Sequence, residues 1–166
     1  IVSMQRNALI AGSFDPITNG HLNIISRAAG MFDSITVGVI VNNSKRSLFT
    51  LDERMDIVRH VTSELHNVKV DSFSGLLADY VNDHGFQAVV RGLRATTDFE
   101  YEIQMAQMNA RLYRHGTETV FLMADPSFSF ISSSLIKEVA SYGGDIRGLV
   151  PEYVRERLSE KVGQEM

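Results

Sequence analysis

Five short apolar runs separated by amphipathic stretches organise this chain. Residues 8–11, 35–41, 68–70, 88–90 and 119–123 are rich in β-branched side chains and almost free of polar interruption. Runs of that kind predict strands buried on both faces, and the helical periodicity between them predicts a parallel sheet covered by helices on each side. The expected fold is therefore doubly wound α/β, Rossmann-like, with any ligand at the C-terminal ends of the strands. The loops after residues 11, 41, 90 and 123 all leave such ends, so four separated segments are expected to converge on one crevice.

The helices carry start signals. Thr50-Leu51-Asp52-Glu53 and Thr97-Asp98-Phe99-Glu100 both match a capping box, with a hydroxyl at the cap and a carboxylate three residues on. Pro151-Glu152 opens a last helix, whose Arg155, Arg157 and Lys161 are expected toward its C-terminal end, where the helix dipole favours cations. The segment 99–112 is apolar on two sides: Tyr101, Met105, Met108 and Leu112 make one stripe, and Phe99, Ile103, Ala106 and Ala110 another. Such a helix is either buried within the chain or packs its outer side on a second subunit or a ligand.

Composition narrows the class. The 166 residues suffice for one domain with a substantial core, read here as 4–163, and Ile1-Val2-Ser3 before Met4 are given no role in it. With 44% hydrophobic residues and no apolar run long enough for a membrane span, a globular protein without membrane partners is expected. The absence of cysteine excludes disulfides and thiol catalysis, and fits the cytoplasm. A net charge of −4 argues against a nucleic-acid binder. Within this acidic chain, Lys45-Arg46 and Arg91 with Arg94 are local cationic pairs, as expected for meeting one small anion.

The chemistry concentrates at the predicted strand ends. Gly12-Ser13-Phe14-Asp15-Pro16-Ile17-Thr18-Asn19-Gly20-His21 reads as a tight turn followed by a helix start, with Thr18 or Asn19 as cap and His21 in the first turn. A helix N-terminus with free amides and a histidine donor suits phosphate. Lys45, in Asn43-Ser44-Lys45-Arg46, can reach a phosphate as a flexible point charge. In Arg91-Gly92-Leu93-Arg94, Gly92 lets backbone and two guanidinium groups approach one ligand. Ile131-Ser132-Ser133-Ser134 offers three hydroxyls and several amides at another helix start, a nest for triphosphate oxygens. No acidic or histidine cluster has the spacing of a metal cage, and His60, His66, His84 and His115 read as surface or helix-end residues.

The pattern Gly-Ser/Thr-Phe-Asp-x-x-x-x-Gly-His after a first strand resembles the signature of the nucleotidylyltransferase superfamily. Followed in order by Ser44-Lys45-Arg46, Phe49-Thr50, Arg91-Gly92-Leu93-Arg94, Asp98-Phe99-Glu100-Tyr101-Glu102, Met108-Asn109 and Ile131-Ser132-Ser133-Ser134-x-x-Lys137-Glu138, it resembles the bacterial phosphopantetheine adenylyltransferases over nearly the whole chain. The resemblance implies adenylyl transfer from ATP to 4′-phosphopantetheine, giving dephospho-coenzyme A and pyrophosphate. Attack would come from the acceptor phosphate on the α-phosphate of ATP, in line and with no protein nucleophile.

It further implies that Ser13, His21, Lys45 and Arg94 serve catalysis at the reacting phosphates. Ser13, Lys45, Leu76, Leu77, Arg91, Met105 and Asn109 would hold phosphopantetheine; Ser13, Phe14, His21, Gly92, Arg94, Glu102, Ser132, Ser133 and Ser134 would hold ATP. Mg²⁺ would arrive on the ATP phosphates without a protein cage, coenzyme A is the candidate feedback ligand, and the assembly would be a homohexamer. The family usually has Tyr-Pro-Gly where this chain has Ile10-Ala11-Gly12. Sibling enzymes acting on nicotinamide mononucleotide or a phosphorylated polyol, and a silent nucleotide-binding module, are the alternatives.

Overall fold

The computed structural model describes residues 5–41 and 46–165. The reading of residues 1–3 therefore lies outside the described residues. All five predicted strands form: β1 (Asn7–Gly12), β2 (Ser34–Ile40), β3 (Val68–Phe73), β4 (Ala88–Leu93) and β5 (Glu118–Met123). They pair exclusively in parallel, in the order β3-β2-β1-β4-β5. Helices α1 (Asn19–Ala29), α2 (Leu51–Val61), α3 (Leu77–His84) and α4 (Thr96–Leu112) connect successive strands, and α5 (Ser133–Ser141) and α6 (Glu152–Glu165) follow β5. The order reverses at β1, which places the crevice between the ends of β1 and β4. No helix among the described residues is long and apolar enough to cross a membrane.

Alternation along each strand divides the core in two. Ala8 and Ile10, Ile35, Val37 and Val39, and Ala88 and Val90 face α1, α2, α5 and α6. Leu9, Ala11 and Val89 face the opposite way, onto Tyr80 and Val81 of α3 and the aromatic rings of Phe73 and Phe86. On that second face β2 carries Gly38. A Cβ there would stand 3.0 Å from Leu9 Cδ1 and 3.0 Å from Phe73 Cε1, so the two side chains occupy the room the glycine leaves.

Two expectations about helix ends are corrected. The helix after β4 begins two residues earlier than the Thr97 box implied: α4 starts at Thr96, its cap position is Ala95, and no side chain among the described residues caps it. Asp98 lies in its first turn and is drawn to Arg94, four residues back, at 3.1 Å. At the last helix, Arg155, Arg157 and Lys161 do not serve the C-terminal dipole, because α6 runs on to Glu165. Arg155 pairs with Glu152 in the first turn, while Arg157 and Lys161 reach across to Glu53 and Asp56 of α2. The Thr50 capping box forms as expected.

Neither stripe on α4 is buried within the chain. Tyr101 is 62% exposed and Met108 56%, Met105 and Leu112 of the same stripe are exposed too, and on the other stripe Phe99 and Ala110 are exposed while Ile103 and Ala106 are half-buried.

The fit around Gly38 gives a coupling that can be measured. Gly38→Ala should destabilise the chain by about 1–3 kcal/mol, and adding Leu9→Ala should restore part of that loss, because the two changes share one space. Urea titration of the double-mutant cycle checks this; strictly additive effects would show that the space is not shared.

Candidate active site

A crevice of about 320 Å³ opens at the carboxyl ends of β1 and β4. Its walls come from the turn after β1, the first turn of α1, the end of β4 with the first two turns of α4, the loop after β5, and the start of α5. The convergence expected of the loops after residues 11, 90 and 123 is thus realised. Lys45, on the loop after β2, lies outside the described residues.

The turn after β1 is shaped around Phe14. Phe14 has a φ of 48°, in the left-handed region that non-glycine residues seldom adopt, and its ring is buried. A Cβ on Gly12 would stand 3.2 Å from that ring, so glycine is required for close approach there. The Phe14 ring also meets the His21 ring edge-on, with centroids 5.1 Å apart. His21 is fixed from the other side by the cap: Thr18 Oγ1 accepts from the His21 backbone N–H at 3.3 Å, and the Thr18 backbone N–H donates to His21 Nδ1 at 3.0 Å. The imidazole here takes the place that glutamate usually holds in a capping box.

That geometry sets the tautomer. Nδ1 accepts a backbone proton, so the neutral ring carries its own proton on Nε2. Burial of the ring, followed by the positive charges of Arg94 and Arg91, lowers its pKa to about 4. Near neutral pH His21 is therefore an uncharged donor on the crevice wall.

Both arginines of the Arg91-Gly92-Leu93-Arg94 loop line the crevice, and both are held by carboxylates of α4. Arg91 makes two bonds to Glu102, at 3.0 and 2.8 Å, and a third to the Ala11 carbonyl at 3.1 Å. The paired carboxylate raises the pKa of Arg91 further. Arg94 donates through Nε to Asp98 at 3.1 Å and through Nη1 to the Ile131 carbonyl at 2.8 Å, and among the described residues Nη2 has no partner. Gly92 has a packing role beyond ligand approach, since a Cβ there would stand 3.0 Å from Ile24 Cγ1 of α1.

The serine cluster divides its work. Ser132 caps α5 by accepting from the Leu135 N–H at 3.1 Å, and the Ser133 hydroxyl donates to the Pro16 carbonyl at 2.7 Å. Ser132 and Ser133 line the crevice; Ser134 is exposed and does not. Ser133 thus spends its hydroxyl proton on the motif turn, while Ser132 accepts at the helix start and keeps its own proton.

Phe14, His21, Arg91, Gly92, Arg94, Glu102, Ser132 and Ser133 of the expected set share this crevice. Ser13, Leu76, Leu77, Met105 and Asn109 do not line it. Ser13 is exposed on the turn itself; Leu76, 59% exposed, and Leu77 begin α3, while Met105 and Asn109 lie further along α4. Sequence reasoning gave no role to Asp98, Phe128 or Asp15. Asp98 was read as part of a cap, and its signal was the four-residue spacing from Arg94. Phe128 lines the crevice from the loop after β5. Asp15 is 5% exposed and accepts from the backbone N–H groups of Leu48 and Phe49 at 2.8 and 2.9 Å and from Lys137 Nζ at 3.1 Å.

Chemically, the crevice offers one neutral imidazole donor, two oriented guanidinium groups and a helix N-terminus, all suited to spreading negative charge. Among the described residues it presents no nucleophilic side chain activated by a base.

A family model described as cytidylyltransferase-like matches residues 9–139. The phosphopantetheine adenylyltransferase of Streptomyces coelicolor is 52% identical over 158 residues, covering 95% of this chain and 98% of that protein. The protein of the same name from Dictyoglomus thermophilum is 52% identical over 156 residues, covering 94% of each chain. A solved structure from Vibrio parahaemolyticus, provisionally named a nicotinate-nucleotide adenylyltransferase, superimposes with a TM-score of 0.69 over 98% of both chains at 16% identity, which bears on the fold alone.

The depressed pKa of His21 has a consequence for stability. Between pH 6.5 and about 4 the unfolded chain binds a proton that the folded chain refuses, so stability falls as pH drops through that window. Above it both forms are neutral and nothing changes. The loss amounts to at most about 3 kcal/mol, and His21→Asn should abolish it. Urea unfolding across the window, in both proteins, checks this; equal slopes would mean that His21 titrates normally in the folded chain.

Proposed function

The chain belongs to the cytidylyltransferase-like family, and on that premise we propose that it is a phosphopantetheine adenylyltransferase, joining the adenylyl group of ATP to 4′-phosphopantetheine. The products are dephospho-coenzyme A and pyrophosphate. The observation that carries this reading is the half identity, over nearly the full length, to two relatives of that name.

The residues suggest how the transfer proceeds. An oxygen of the acceptor phosphate attacks the α-phosphorus of ATP, a new P–O bond forms, and the bond from the α-phosphorus to the bridging oxygen breaks in line, releasing pyrophosphate. The acceptor is already an anion, so no base is needed to activate it. What the protein must do is hold two mutually repelling polyanions in register and offset the charge gathering on the α-phosphate and the leaving group. His21 Nε2–H would donate to an α-phosphate oxygen, and its neutrality lets it do so without losing its place in the cap. Arg94, through Nη2, and the N-terminus of α5 would meet the β- and γ-phosphates. Arg91, with Ser13 and Lys45, would take the acceptor's phosphate, and Leu76, Leu77, Met105 and Asn109 the arm behind it. Glu102, Gly92 and Phe14 would border the nucleotide.

Among the described residues no group of three or more histidine or acidic side chains is gathered. Asp98 and Glu102, the carboxylates facing the crevice, are each committed to an arginine. Mg²⁺ would therefore be held by the triphosphate and water, neutralising phosphate charge. Coenzyme A, which carries the same arm as the product, is the proposed feedback ligand, and the cytoplasm the proposed compartment. The exposed stripe of Tyr101, Met105, Met108 and Leu112 supports an assembly of several copies, proposed as a hexamer.

Pyrophosphate release should be seen with ATP and 4′-phosphopantetheine, and not with pantetheine lacking the phosphate; equal turnover with nicotinamide mononucleotide would reassign the acceptor. His21→Ala should lower turnover by about 10²–10³ while ATP affinity changes little, the usual consequence of losing one preorganised donor. A folded variant with near-full turnover would reduce His21 to a cap.

Light scattering should give a mass several times that of one chain, and Met108→Glu should lower it. A monomer of full activity would remove the assembly from the proposal.

A further inference from the structure

The loop after β5 makes one wall of the crevice through Ala124 and Phe128, and an arginine grips it at each end. At its far end the Ile131 carbonyl accepts from Arg94 at 2.8 Å. At its near end the Met123 carbonyl accepts from Arg27 Nη1 at 2.7 Å, and the same nitrogen donates to Asn23 Oδ1, one turn back on α1, at 3.2 Å. β5 is an edge strand and the Met123 side chain is 69% exposed, so packing does little to hold this strand end. The ladder bond from the Ala124 N–H to the Leu93 carbonyl at 2.8 Å holds one side of it, and Arg27 the other.

Arg27 shares its helix with His21. Six residues separate them, about 9 Å along the axis of α1. The Thr18 cap fixes the His21 end, and at that same first turn Gly20 lies against the loop: a Cβ there would stand 3.6 Å from the Phe128 carbonyl oxygen and 3.7 Å from Phe128 Cβ. One rigid helix thus sets the imidazole at its first turn and the start of the loop at its last. Arg27 itself does not line the crevice, but Ala124, joined to the carbonyl that Arg27 holds, does.

We propose that Arg27 is a positioning residue for ATP, setting the loop after β5 at a fixed distance from His21. This rests on the adenylyl-transfer reading given above, in which that loop runs into the α5 N-terminus that meets the ATP phosphates. A tie that served the strand end alone would change stability and leave both substrates' affinities as they are.

Turnover of ATP with 4′-phosphopantetheine by the unaltered chain tests the underlying reading; the role of Arg27 is read separately, from the affinity of each substrate measured alone by calorimetry. No turnover with ATP still bound would remove the reading and leave the test of Arg27 standing, and a chain that binds no ATP would overturn both. Arg27→Met should weaken ATP about fivefold and 4′-phosphopantetheine by less than about twofold, while Arg27→Lys, which keeps one charged donor, should weaken ATP only about twofold. Arg27→Met combined with Phe128→Ala should lose less than the product of the two single losses, because both act through one loop. Equal weakening of both substrates, a strictly multiplicative double variant, or a lowered thermal midpoint with both affinities unchanged would overturn the proposal. Linkage supplies a check on the unaltered chain that stands even if the variants do not fold: a bond that favours ATP is itself strengthened by bound ATP to the same degree. The Arg27 guanidinium protons should exchange with water about fivefold more slowly when ATP is added and at an unchanged rate when 4′-phosphopantetheine is added; exchange that ignores ATP would overturn the proposal equally.

Discussion

One buried carboxylate gathers the active end of the sheet. Asp15 receives the N–H groups of Leu48 and Phe49, on the approach to α2, and the ammonium of Lys137, on α5. Two segments distant in sequence are thereby fixed to the turn after β1, and the negative charge of Asp15 is met by two amide dipoles and one cation. The Ser133 hydroxyl on Pro16 and the Arg54 guanidinium on Ser13 bind neighbouring atoms of the same turn. The placement of Phe14, of the Thr18 cap and hence of His21 follows from a turn held at so many points.

The electrostatics of the crevice follow from a division between rigid cations and a neutral donor. Glu102 and Asp98, one turn apart on α4, hold the two arginines at the end of β4 in fixed directions. Burial, with the charges of the arginines added to it, keeps the imidazole beside them uncharged. A phosphate entering this space meets guanidinium groups already oriented, at less entropic loss than free side chains would incur. The edge-on Phe14 ring and the Thr18 backbone leave His21 Nε2 as the one ring nitrogen free to face a ligand.

The fold was legible because its signals are local. Each of the five strands centres on an apolar run, buried along β1 and β2 in the middle of the sheet and half-covered in the edge strands β3 and β5, and Thr50 and Thr18 sit where their hydroxyls can cap. The ordered positions from Gly12 to His21 pointed to phosphate for the same reason, since turn, cap and helix start are built within ten residues. Where a reading failed, a partner outside the motif had intervened. Thr97 lost its cap position to a helix that begins beside the Arg94–Asp98 pair, and Arg157 and Lys161 answered to Glu53 and Asp56 on α2 rather than to their own helix end. Ser133 looked like a free donor until Pro16, more than a hundred residues earlier, claimed its hydroxyl.

The sequence by itself determined the strand count, the parallel sheet, the end of the sheet where chemistry would lie, and the identity of the histidine and arginines there, because periodicity, turn chemistry and motif order are properties of neighbours along the chain. Only the tertiary structure decided which of those groups are bound within the chain, the tautomer and neutrality of His21, the grip of Asp15, and the burial of Arg54 against the Ser13 and Ile40 carbonyls. Burial and pairing energies depend on what stands opposite in space, and the partners of Asp15 and Arg54 come from elements that nothing in their own stretch of sequence specifies.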